Sequence, residues 1–186
     1  AARGFLPAPA YVGGETVQET GGGVCQGSST VCLAALRSNL EIVERYPHGY
    51  ITRYVPDGMD ATVYYGAKDF RFRNNTPFPI QVVGSVSGRS LTVSILGTKS
   101  DNITVEMTNQ TVGTTGYKTV YKVDSSLPAG STRVSVTPYA GYTVKVYRNL
   151  YENGKLKDTK LESTSVYRSR DKVVLVSPED AAQYGL

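Results

Sequence analysis

Tryptophan is absent from this chain of 186 residues, histidine occurs once, and cysteine and methionine occur twice each. These scarcities exclude several chemistries. A single histidine, with cysteines only at positions 25 and 32, matches no metal-ligand spacing, so the sequence predicts no metal and no cofactor. If a helix covers the segment from Cys25 to Cys32, their Cα atoms stand roughly 10 Å apart. A disulfide tolerates no more than about 7 Å. Two free thiols are therefore expected, with Cys32 placed in the core by the apolar run around it. No stretch approaches the roughly 20 apolar residues of a membrane span, and no secretory leader opens the chain. The Ala1-Ala2-Arg3-Gly4-Phe5 start reads as that of a fragment or a trimmed product. The formal charge of +4 is scattered, without a Lys/Arg block, so a nucleic-acid footprint is not expected.

What the chain has in quantity is tyrosine, 14 residues, and glycine, 19 residues, together with abundant Ser and Thr. That composition suits short strands joined by many turns, as in extracellular bacterial modules.

The organising stretch is Gly21-Gly22-Gly23-Val24-Cys25-Gln26-Gly27-Ser28-Ser29-Thr30, running into Val31-Cys32-Leu33-Ala34-Ala35-Leu36. Glycines permit a tight turn, hydroxyl side chains are the usual helix caps, and Leu and Ala propagate a helix. The pattern predicts turn, cap and helix, ending near Asn39, with Leu33, Leu36 and Leu40 as its buried stripe. A cysteine at the start of a helix meets unpaired amides and partial positive charge, which favour the thiolate. Cys25 is thus the candidate nucleophile. His48, the one histidine, is its only possible imidazole partner, and Asp60 is the candidate third member that orients the ring. The amides around Cys25 and Gln26 are candidate oxyanion donors, with the hydroxyls of Ser28 and Ser29 as alternatives that capping also explains. Arg71 and Arg73 are candidate clamps for substrate carboxylates, and an ordinary solvated strand face explains them equally.

Along the chain, Pro7, Pro9, Gly13 and Gly14 predict loop with a short strand at Tyr11-Val12. Strands are expected at Glu41–Glu44, Ile51–Tyr54, Ala61–Tyr65 and Asp69–Arg73, and a hairpin at Ile80–Val86 and Leu91–Leu96. Residues 1–97 therefore read as α+β, one main helix packed on an antiparallel sheet. Beyond a boundary at about 97–101, residues 98–186 read as an elongated all-β module. Its strands are expected at Ile103–Met107, Tyr117–Val123, Arg133–Thr137, Tyr142–Tyr151 and Val173–Val176, and the Asn153-Gly154 pair suits a type I′ hairpin turn.

The glycine-cysteine stretch resembles the signature of the VanW-like domain. The likeness continues through Leu40-Glu41-Ile42-Val43-Glu44-Arg45-Tyr46-Pro47-His48, Tyr54-Val55-Pro56, Asp60-Ala61-Thr62-Val63 and Asp69-Phe70-Arg71-Phe72-Arg73-Asn74-Asn75-Thr76. It covers about residues 3–97, the later part of that domain. Gly27 and Gly49 depart from the family's usual residues. The resemblance implies an envelope protein of Gram-positive bacteria, outside the membrane and anchored to it in full length. It further implies an L,D-transpeptidase that uses Cys25 on peptidoglycan stem peptides to make 3-3 cross-links. The alternative it leaves is a non-catalytic wall-binding or accessory protein linked to glycopeptide resistance. Residues 120–130 and 151–155 resemble the five-glycine cell-surface domain, which implies glycan strands as a partner or a spacer role.

Overall fold

The computed structural model describes residues 4–12 and 15–186. The expectations on Ala1, Ala2 and Arg3 and on the Gly13-Gly14 pair lie outside those residues. Within them the chain is mostly β, with one α-helix and several small sheets. Strands β1 (Pro7–Val12) and β2 (Glu15–Thr20) pair antiparallel ahead of helix α1 (Val24–Arg37). Next come β3 (Glu41–Glu44) with β4 (Arg71–Arg73), and the hairpin β5 (Ile80–Ser87) with β6 (Ser90–Gly97). The remainder forms two three-stranded sheets. One has β10 (Gly141–Glu152) between β11 (Lys155–Tyr167) and β7 (Ile103–Thr115), all antiparallel. The other has β12 (Lys172–Val176) between β8 (Thr119–Val123), in parallel, and β9 (Thr132–Val136). No helix among the described residues is long and apolar enough to cross a membrane.

Helix α1 begins four residues before the hydroxyl cluster expected to cap it. Gly23 is the N-cap, at φ 90°, a left-handed conformation that glycine takes without strain. Ser28, Ser29 and Thr30 consequently fall inside the helix. At its other end, Asn39 at φ 56° turns the chain out of helical geometry, so α1 stops at Arg37. The buried Arg148 of β10 then donates to the Leu40 carbonyl at 3.0 Å and to Asn39 Oδ1 at 3.1 Å. A guanidinium there satisfies acceptors at the turn that ends the helix and suits the negative end of its dipole.

The core is shared along the chain. Cys32 and Leu36 of α1 meet Met59 and Ala61 from a loop, Val144 and Val146 from β10, and Tyr167 from β11, each at most 2% exposed. Leu33 packs against this cluster from its rim, and Leu40 is also buried.

Two expected strands are absent. Residues 51–54 and 61–63 are irregular, and Tyr64 makes only an isolated bridge with Lys68. Asp69–Arg73 shortens to Arg71–Arg73, because Asp69 Oδ1 takes the Phe70 amide at 2.9 Å. Alternation of side chains persists only at residues 69–73. At Ala61, Thr62 and Phe70 the backbone is instead bound to side chains and to the loop at Tyr46, which leaves no ladder to join there.

Candidate active site

Cys25 is the second residue of α1, half-buried, with its sulfur 3.5 Å from the Val63 carbonyl oxygen. Its backbone amide finds no acceptor among the described residues, whereas the Gln26 amide already donates to the Gly23 carbonyl at 3.0 Å. Of the two amides read as oxyanion donors, only that of Cys25 is available.

His48 reaches the site from the loop after β3. Its side chain interacts electrostatically with Cys25, and its Nδ1 lies 2.6 Å from Asp60 Oδ2, which also accepts the His48 backbone amide at 2.7 Å. One carboxylate oxygen thus fixes both the ring and the backbone of the same residue. With Nδ1 committed to Asp60, Nε2 is the nitrogen left for the sulfur, and Tyr54 Oη approaches that same nitrogen at 3.0 Å. The Tyr54 ring stands edge-on to the imidazole.

Asp60 is fully buried. Its other oxygen, Oδ1, accepts the Tyr167 hydroxyl at 2.5 Å and lies 3.5 Å from Arg45 Nη2. Arg45 also donates to the Asp60 carbonyl at 2.6 Å and to Ser165 Oγ at 2.9 Å. Helix α1 secures the next residue: Ser29 Oγ accepts the Ala61 amide at 2.9 Å, and Ser28 donates to the Ala61 carbonyl at 2.6 Å. The sequence motif Asp60-Ala61 is therefore clamped between the helix that carries Cys25 and the strand that carries Tyr167.

These contacts set the charges. Burial pushes the Asp60 carboxyl up, but hydrogen bonds from His48 and Tyr167 and the Arg45 charge outweigh it and hold it at about 2. Burial opposes the imidazolium of His48, yet Asp60 and Cys25 raise it to about 9. Burial likewise raises the Cys25 thiol, and the hydrogen bond and charge of His48 bring it below the ordinary thiol range. Cys32, seven residues on in the same helix, has no such partner, and burial pushes it up to about 12. One helix thus holds a thiol poised to ionise and another kept neutral.

The other candidates lie as follows. Ser28 and Ser29 are spent on the Ala61 backbone. Gln26 is exposed and, with Gly23, Arg89 and Leu91, lines a hollow of about 280 Å³ beneath the β5–β6 turn. Arg71 and Arg73 stand on the solvent side of β4, engaged by Asp69 and Glu44 and by Glu41 respectively. No contact joins either to Cys25, His48 or Asp60 among the described residues. A cleft of about 650 Å³, lined by Arg37, Asn39, Thr76 and Lys99 among others, opens at the far end of α1 and holds none of the three.

A family model for VanW like protein matches residues 1–96. The chain belongs to the VanW-like family. A model for the G5 domain matches residues 102–178. Both segments are typical of cell-surface proteins of Gram-positive bacteria. The Bacillus subtilis (strain 168) relative described as uncharacterized protein YoaR is 43% identical over 93 residues, covering 50% of this chain and 31% of that protein. The VanW-like chain thus spans about a third of that relative's length. Among solved structures, HP0197-G5 is 24% identical, covers 40% of this chain and 97% of that one, and superposes with a TM-score of 0.23. The G5 domain of IgA1 protease is 16% identical, covers 42% and 94%, and gives 0.28.

Three residues of the site were not singled out from the sequence: Arg45, Tyr54 and Tyr167. Arg45 and Tyr54 sit inside motifs that flank His48. Tyr167 lies 107 residues beyond Asp60, on a strand whose sequence carries no local sign of the role.

Proposed function

We propose that this VanW-like chain is a cysteine L,D-transpeptidase of peptidoglycan, acting outside the cell in the envelope of a Gram-positive bacterium. The observation that carries the reading is the grouping of Cys25, at the start of α1, with His48, whose Nδ1 lies 2.6 Å from Asp60 Oδ2 and whose charge acts on the Cys25 thiol. Such a grouping supplies a thiolate, a proton carrier and a group that fixes the carrier's tautomer. The Cys25 thiolate attacks the carbonyl of the third residue of a tetrapeptide stem. The Cys25 amide donates to the oxyanion. Collapse breaks the peptide bond, and His48 gives its Nε2 proton to the departing amine of the terminal D-alanine. A thioester remains. The side-chain amine of a diaminopimelate on a neighbouring stem then attacks it, passes a proton back to His48, and expels the thiolate with an amide cross-link formed. Glycan strands are the accompanying partner, held by the G5 segment, and the full-length protein is anchored at the membrane.

The test is cross-link formation by the full-length protein on disaccharide-tetrapeptide substrate, read by mass spectrometry. Cys25→Ala is expected to abolish the 3-3 product, and undiminished product would overturn the assignment. Sedimentation with peptidoglycan retained in that variant, alongside no turnover by wild type, would replace it with an accessory wall-binding role.

A further inference from the structure

The strand β11 lies in the segment matched by the G5 model, outside the residues matched to the VanW-like family. Two of its hydroxyls nevertheless reach into the Cys25 site. Tyr167 Oη donates to Asp60 Oδ1 at 2.5 Å and accepts the Gly58 amide at 2.6 Å, with the residue 1% exposed. Ser165 Oγ, fully buried, accepts from Arg45, which in turn holds the Asp60 carbonyl.

We propose that Tyr167 is a positioning residue for the Cys25–His48–Asp60 site, so that the G5-matched segment is part of the catalytic apparatus as well as a neighbour of it. The proposal rests on the transpeptidase reading for its effect on turnover. An aspartate carboxylate has two oxygens and turns about its Cβ–Cγ bond. His48 needs Oδ2 directed at Nδ1. Tyr167 takes Oδ1 from the opposite side, and its hydroxyl is itself fixed by the Gly58 amide. The rotation of Asp60 is thereby set from both ends. Without the Tyr167 hydroxyl, Oδ1 keeps, among the described residues, only Arg45 at 3.5 Å, a contact too long to orient it. The titratable and charged groups around the carboxylate are His48, Arg45 and Tyr167, with Cys25, Cys32, Tyr54 and Tyr142 beyond them.

His48 is the only histidine, so its Cε1–H resonance is the one histidine Hε1 signal in the proton NMR spectrum. That signal is titrated against pH in wild type, Tyr167→Phe and Tyr142→Phe. The Tyr142 ring packs against Tyr167, but its hydroxyl donates to Asp57. Its loss costs a comparable hydrogen bond without touching Asp60. Tyr167→Phe is expected to lower the His48 titration toward the ordinary imidazole value and, because the ring is no longer held in one orientation beside the sulfur, to slow Cys25 alkylation at pH 6 severalfold. Tyr142→Phe is expected to leave both unchanged. A His48 titration equal in the two variants, or raised in Tyr167→Phe, overturns the proposal. If Tyr167→Phe exposes Cys32 to alkylation and so reports unfolding, Ser165→Ala decides. A smaller downward shift there sustains the proposal, and an unmoved signal ends it. The His48 signal reads the Asp60 contact whether or not Cys25 is a nucleophile. A wild-type Cys25 that alkylates as an ordinary thiol, with a shifted His48 in Tyr167→Phe, would sink the transpeptidase reading and leave the positioning role standing.

Discussion

Asp60 is fully buried yet held as a carboxylate, because donors meet it on both oxygens: the His48 amide and ring on one, Tyr167 and Arg45 on the other. Such a group links stability to acid in a definite direction. Its folded-state value, about 2, lies below the unfolded 3.8. The stabilisation it gives is therefore complete above 3.8 and is lost as pH falls through about 2. Asn cannot titrate, so the difference between wild type and Asp60→Asn isolates this one group from the other carboxylates. Urea unfolding of the two proteins should show that difference shrinking by on the order of 2 kcal/mol as pH is lowered from about 5 toward 2. A constant difference would mean that Asp60 is already protonated in the fold. At this scale the sequence was informative about some partners and silent about others. A lone histidine leaves one choice for a Cys–His pair, and a helix start marks the cysteine. Arg45 and Tyr167 act through Asp60, and nothing in their local sequence distinguishes them from ordinary packed or solvated residues.

The loop over residues 56–61 leads into the segment Ala61–Tyr65, where the sequence predicts a strand and the structure has none. It carries Asp60 between α1 and the β10–β11 pair, and it does so without a ladder because Ser28, Ser29, Arg45 and Tyr167 bind its backbone groups. Alternating apolar residues at Ala61, Val63 and Tyr65 imitate a strand, and only the identity of those distant partners separates the two outcomes. The helix is legible in the sequence because its apolar spacing is local, but its start is not: a glycine N-cap leaves no side-chain signal. Within the loop, Gly58 sits at φ +83°, and a Cβ there would fall 2.4 Å from Val146 Cγ2. Neither the conformation nor the core wall leaves room for a side chain. Gly58→Ala should lower stability by on the order of 2 kcal/mol and slow Cys25 alkylation at pH 6, as the loop carrying Asp60 shifts. Gly49→Ala, in open space beside His48, is the control expected to change melting little. Equal melting temperatures for the two variants would show that the loop yields without cost to the core.

The VanW-like and G5-matched segments read in the sequence as successive parts with a boundary near residues 97–101, because strand texture changes there and helical spacing ends. Packing runs across that boundary. Val144, Val146 and Tyr167 come from beyond it and close the same buried cluster that Cys32, Leu36, Met59 and Ala61 form from before it. Arg148 reaches back to the turn that ends α1. Local patterns cannot reveal this, since each strand of β10 and β11 alternates as it would against any apolar face. The consequence is a test of the whole chain. A protein ending at residue 101 would leave α1 facing water along its apolar stripe and Asp60 with neither Tyr167 nor the Ser165-held Arg45. Each large core side chain deleted costs on the order of 2–5 kcal/mol, and several are lost together against a total stability of about 5–15 kcal/mol. Such a chain should show no cooperative thermal transition, and Cys32, at 0% exposure in the intact protein, should alkylate as fast as in urea. A sharp transition with Cys32 still protected would mean that residues 4–101 hold their own core. The contacts across the boundary would then orient the site without being required for the fold.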